Sequence, residues 1–238
     1  MLVRTFSLLG CWAVCASVCA RIGEAHSATH QVAISVYLLF SLLGEAPSIA
    51  GQVLIARRTT LGQKSAARRL VRRLVSLSLK VGLFSATATY LAGLAAPRMF
   101  ALSAGLPGSK EEVLRTLLKS TMRVAALTQP ICALTLLAEG LVTGCRAFRY
   151  IAFTTTVAGL IISSSLLAFA KGPVTLLGRT LPFFQEGLGV KGVWWHLCVL
   201  FMIRFVAAAG KVLHEISGPD WVPDPDLVAE EMIETSPV

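Results

Sequence analysis

The sequence predicts an all-α, polytopic membrane protein with six transmembrane helices in one bundle, and three observations carry that reading. Of its 238 residues, 55% are hydrophobic and only 15% are charged, whereas an average soluble domain carries about 25% charged residues. The mean hydropathy is +0.70. Stretches of membrane-spanning length with no charge, or a single charge, recur along the chain six times. A water-soluble fold of this length needs more polar surface than these residues supply. Six cysteines are too sparse for a disulfide scaffold.

A bilayer core about 30 Å thick takes roughly 20 apolar residues at about 1.5 Å each. The first span is expected over residues 2–20: Phe6 to Ala20 is uncharged, and the N-terminal residues extend it if Arg4 snorkels. The same segment has a second reading as a secretory signal peptide, because Ser17-Val18-Cys19-Ala20 has the small-residue pattern of a cleavage site. Left intact, it makes six spans with both termini on one side. Cleaved, it leaves five, with termini on opposite sides. The second span is expected over 31–56, interrupted near its middle by Gly44-Glu45-Ala46-Pro47, where proline removes a backbone donor and kinks the helix. The third is expected over 76–97. The fourth covers 120–143 after a break at Gln129-Pro130 and contains Glu139. The fifth covers 150–170, and the sixth covers 192–213 with Arg204 inside it. Residues 1–216 thus form one membrane lobe.

The net charge of +9 divides unevenly. Residues 217–238 hold six acids and no base among several prolines, which predicts a disordered tail or a segment docking on a basic surface. The rest of the chain carries +15, from 22 basic and seven acidic side chains. On so apolar a chain this balance points to membrane orientation and anionic headgroups rather than nucleic acid. Eight basic residues and no acid fall in 57–80, so that connection is expected on the cytosolic or stromal side. Arg115, Lys119 and Arg123 recur every four residues and form one basic stripe leading into the fourth span.

Motifs for catalysis are absent: no nucleophile elbow, no paired metal-binding histidines and no phosphate-binding loop occur. The chain is not expected to be an enzyme. Cys11, Cys15 and Cys19 share a helical face, but without an assignable fourth ligand they read as small packing residues rather than a metal site. The four histidines stand singly and read as satisfied structural residues. The intramembrane charges are different. A central Arg costs about 2.5–3.5 kcal/mol on the insertion scale, and such residues normally face the bundle interior or a water-filled pathway. Arg204, Glu45 and Glu139 are therefore pathway candidates. The kinked second span with its acid, and with Gln31 and Gln52, suits amphipathic organic molecules better than a bare ion.

The order Arg4-Thr5, His30-Gln31, Gly44-Glu45-Ala46-Pro47 and Gln52, then Glu139-Gly140 through Gly144, Phe148-Arg149-Tyr150 and Gly192-Val193-Trp194, resembles the C-terminal half of multidrug and toxic compound extrusion (MATE) transporters. The form of the second span is most similar to the plant plastid-envelope branch. The resemblance covers roughly residues 1–215. It implies one six-helix lobe of a twelve-helix secondary antiporter, exporting small organic molecules in exchange for protons or sodium ions by alternating access. No further cofactor is implied. It also favours a transmembrane first span over a signal peptide. Arg4 and Gln52 match polar positions facing the interlobe cavity, and Glu45 and Glu139 match positions where the family often has an acid. With Arg204 they form the candidate pathway set. Relative to that family the first lobe is missing, so the expected partners are the bilayer, a small organic substrate, and either a first-lobe chain or a parallel second copy. The alternatives are a non-transporting membrane interaction protein and a truncated fragment. The membrane is expected to be the plastid envelope or another organelle or plasma membrane.

Overall fold

The structure, a computed structural model, describes residues 2–104, 108–169, 175–176, 179–180 and 189–217. Among the described residues the α-helices follow in order: α1 (Leu2–Ile22), α2 (Glu24–Ser41), α3 (Glu45–Thr60), α4 (Lys64–Ala104), α5 (Gly108–Gly144), α6 (Phe148–Phe169) and α7 (Gly189–Ser217). A 3-10 turn, Leu42–Gly44, joins α2 to α3, so these two make one crossing. Six helical segments among the described residues are long and apolar enough to cross a membrane. The chain is a multi-pass integral membrane protein. Two-residue strands β1 (Thr175–Leu176) and β2 (Arg179–Thr180) pair antiparallel between α6 and α7, a detail that apolar counting does not detect. The acidic tail after Ser217 lies outside the described residues.

The helices outrun the charge-poor stretches that predict them. Basic residues are good helix formers, and nothing between Lys64 and Ser76 breaks a helix, so α4 begins well before the expected third span at 76. The expected basic connection 57–80 is therefore two helix ends around a short turn. Gly62 ends α3 in the left-handed conformation, with φ 67°, and closes that turn through Gln63 N–H to Arg58 O.

Two expected interruptions also come out differently. Helix α5 runs unbroken through Pro130. Its neighbours hold it there: Gln129 Nε2 donates to Tyr37 O at 3.0 Å and to Thr89 Oγ1 at 3.1 Å. In a packed bundle such contacts offset the one bond that proline removes. In the second span the interruption is the 3-10 turn, and Pro47 sits in the first turn of α3, where a missing N–H costs least. Gly44 keeps ordinary helical dihedrals. Its value is space, since a Cβ there would lie 3.4 Å from Ala133 Cα.

Helix α5 is the central post: 72% of its most apolar window is buried, against 22–44% for the other crossings. Glycines bring its neighbours to backbone distance. A Cβ on Gly140 would come within 2.5 Å of Ser48 O, and one on Gly82 within 2.7 Å of Pro130 Cα. Gly140 and Gly144 make a small-xxx-small seam against α3. Cys11, Cys15 and Cys19 are buried in the core cluster shared by α1, α2, α5, α6 and α7, the packing role that their small size suggests.

Candidate functional site: a carboxylate between two arginines

The site is built from three crossings. Helix α1 is seated on α6 by the hydroxyl pair Ser7 and Thr156 at 2.9 Å, one turn from Arg4. Helix α7 is tied to α5 by Thr135 Oγ1, which donates to Phe201 O at 3.1 Å. It is tied to α6 by Tyr150 OH, which donates to Ala207 O at 3.0 Å. These two links flank Arg204 by three residues on either side. On α5, Glu139 directly precedes Gly140, whose closeness to Ser48 sets the depth of that turn.

Glu139 accepts from both arginines. Arg204 donates Nε to Oε1 at 2.8 Å and Nη2 to Oε2 at 2.9 Å, a two-pronged pair. Arg4 donates Nη2 to Oε2 at 2.5 Å. The side chains of Glu139 and Arg204 are each 4% exposed, while that of Arg4 is 24% exposed. The Arg204 guanidinium also lies 5.2 Å from the centroid of the Phe201 ring, one helical turn away. One carboxylate and two guanidiniums leave the cluster with a formal charge of +1 inside an apolar bundle. Arg4 carries the accessible part of that charge, and its Nε has no partner among the described residues. Chemically this is a fixed ion pair, Glu139–Arg204, with a second cation that can exchange its partner.

The structure therefore brings together three of the five expected site residues. Glu45 and Gln52 are not among them. Both are exposed, on an outward stripe that continues through Gln31 and Ser35 at helical spacing. Glu45, a pathway candidate by sequence, lies on the exposed side of this lobe. Gly44 and Ser48 occupy the face packed on α5, with Ser48 Oγ donating to Leu136 O at 2.7 Å, and Glu45 is rotated about 100° from Gly44. Among the described residues, no group of three or more His, Cys, Asp or Glu is placed to hold a metal ion.

One residue read as ordinary is not. His196 fits the structural reading, with hydrogen bonds to Ser165 Oγ and Gly192 O. His30 is fully buried, with neither ring nitrogen partnered among the described residues, and lies 6.1 Å from the Trp194 ring. Trp194 in turn packs 5.3 Å from Tyr37, and both of these bury unpartnered polar atoms too. A lone histidine in an apolar run gave no hint of this aromatic cluster.

No family model matches the chain. It is 33% identical over 224 residues to Protein DETOXIFICATION 45, chloroplastic, of Arabidopsis thaliana, covering 93% of this chain and 35% of that protein. It is 28% identical to Protein DETOXIFICATION 44, chloroplastic, of the same plant, covering 88% of this chain and 36% of that one. The chain thus spans about a third of the length of the curated relatives it matches. Among solved structures, an outward-facing multidrug resistance MATE family transporter of the MOP superfamily superposes with a TM-score of 0.68 at 14% identity, over 98% of this chain and 48% of that one. With that fold over nearly its whole length and a 33% identical DETOXIFICATION relative over most of it, the chain belongs to the MATE transporter family, of which it carries one six-helix lobe.

Proposed function

We propose that the chain is one half of a secondary active antiporter that exports small organic molecules in exchange for protons or sodium ions. The observation that carries this reading is the Arg4–Glu139–Arg204 cluster: three charges buried in apolar crossings, one of them reaching the surface of the lobe. Charges at that depth cost free energy and mark pathways. A second six-helix bundle completes the cavity, packed against the outward stripe of α2 and α3 and the exposed side of α1. That bundle is a first lobe, on this polypeptide or a separate one, or a second, parallel copy of this chain. Alternating access then consists of one bundle rocking against the other around the cavity between them. Arg4 leaves Glu139 to hold an anionic group of the substrate and returns when the substrate departs. Glu139, freed of one cation, is the group that answers to the coupling ion. The two chloroplastic relatives favour a plastid envelope. No catalytic step is assigned to the chain.

The test is transport by proteoliposomes carrying an ion gradient, with the chain alone and with a complementary six-helix bundle from a relative. A fluorescent organic anion and a fluorescent organic cation serve as cargo. Gradient-driven flux in either preparation supports the proposal, with the anion preferred. A second reading rests on the chain's coverage of only 35% of its relative: a non-transporting fragment or interaction subunit. No flux in either preparation, together with co-purification of a full-length transporter, favours that reading.

A further inference from the structure

A second charged feature lies far from the ion cluster and plays no part in transport as proposed above. Along α5, Arg115, Lys119 and Arg123 are exposed on one face and border a groove of about 720 Å³ together with Thr116 and Ser120. None of the three cations forms an ion pair among the described residues.

Depth separates these residues by role. The charge-poor stretch Val124–Thr143 is 20 residues long and matches a hydrocarbon core about 30 Å thick. Arg123 therefore sits at the edge of the core. Lys119 lies about 6 Å further out, at the depth of the headgroups, and Arg115 about 12 Å out, at their outer margin. Glu111 and Glu112, at the outer mouth of the groove, are about 17–18 Å from the core edge. They are more than a Debye length, about 8 Å, from Lys119 and Arg123 in water, so they do not cancel the inner pair. In the other direction the same stripe continues one turn inward to Leu127, which is 62% exposed. From water to bilayer centre the face thus presents acid, base with hydroxyls, then exposed aliphatic side chain. A free anion has no use for the last step, whereas a lipid does.

We propose that this groove is a binding site for an anionic glycerophospholipid, its phosphate held between Lys119 and Arg123 beside the Ser120 hydroxyl and its acyl chain laid along Leu127. The site lies on the face of the lobe opposite the basic α3–α4 turn. It gives α5, the central post, a lipid contact in the other leaflet.

The test is native mass spectrometry of the full chain in detergent, with phosphatidylglycerol and phosphatidylcholine of identical acyl chains at equal concentration. Phosphatidylglycerol is expected to be retained, and a Lys119→Gln/Arg123→Gln variant to lose about tenfold or more of that retention, at roughly 1 kcal/mol per basic residue. Arg72→Gln/Arg73→Gln, in the other basic region, is expected to leave the retained lipid in place. Retention by the Lys119/Arg123 variant equal to the unaltered chain overturns the proposal. So does displacement of the lipid by glycerol 3-phosphate at equal concentration, which identifies a site for free phosphate instead. If the double variant does not fold, Leu127→Gln decides. It keeps every charge, is expected to weaken retention of the lipid severalfold, and overturns the proposal if retention is unchanged.

Discussion

Replacing Glu139 with glutamine removes the carboxylate between two guanidiniums, and the structure sets the size of the effect. Arg4 Nη2 and Arg204 Nη2 lie 2.5 and 2.9 Å from the same Oε2, so they are no more than 5.4 Å apart. Two unit positive charges about 5 Å apart at an effective dielectric of about 20 repel by about 3 kcal/mol. Breaking a buried ion pair from one side generally costs about 3–5 kcal/mol. Arg4 is partly exposed and can swing outward, which relieves some of the repulsion. Glu139→Gln is therefore expected to destabilise the lobe by about 3 kcal/mol. Arg4→Gln leaves the two-pronged Glu139–Arg204 pair intact and is expected to cost about 1 kcal/mol or less. The double variant should cost less than the sum of the two, because removing Arg4 relieves the repulsion that Glu139→Gln creates. Thermal and denaturant unfolding of the purified chain in detergent reads these differences. An Arg4→Gln variant as destabilised as Glu139→Gln, or a strictly additive double variant, refutes the ion cluster as described.

Other consequences are independent of that cluster. Gly140→Val places side-chain atoms against Ser48 O, which already lies within 2.5 Å of a Cβ at that position. It is expected to lower the melting temperature through an overpacking cost of about 1–3 kcal/mol. Gly10→Ala, where a Cβ meets nothing within 4 Å, is expected to leave the melting temperature unchanged or raise it; equal losses for both would remove close helix approach as the cause. Cys145 lies between α5 and α6 outside the crossings, and burial pushes its thiol up to about 11 from an ordinary 9.0. Its alkylation at pH 8 should then be about a hundredfold slower than that of an ordinary thiol and should still climb about tenfold per unit to pH 10; a plateau near pH 9 contradicts this. Glu45→Gln, on the exposed stripe, is expected to insert and fold normally but to lower transport or shift its pH dependence. Transport identical to the unaltered protein at every pH removes Glu45 from the pathway.

The crossings were legible because charge is expensive in hydrocarbon, so its absence marks spans directly. The same uniform apolarity hides which side of a helix faces inward. Glu45 and Glu139 each adjoin a glycine in an apolar run, and nothing local distinguishes them. The structure exposes one and buries the other, because Gly44 and Ser48 take the packed face of α3 while Glu139 points between α1 and α7. Arg204 was legible as a burdened residue, but its partner was not, since the pair is separated by 65 positions. Pro130 misled for a related reason. Proline breaks an isolated helix, but here the Gln129 hydrogen bonds to Tyr37 and Thr89 hold α5 continuous. His30 shows the limit from the other side, because its burial beside Trp194 depends on how α2 packs on α7.

In the transport cycle proposed above, Glu139, gripped by Arg204 and released by Arg4, couples an ion gradient to export. The direct measurement is gradient-driven flux of the organic anion in proteoliposomes, comparing the unaltered lobe with Glu139→Gln, each joined to the same complementary bundle and normalised to inserted, folded protein. Glu139→Gln is expected to lose the gradient-driven component while downhill exchange of the anion persists. Gradient-driven flux at the unaltered rate in the Glu139→Gln protein would contradict it.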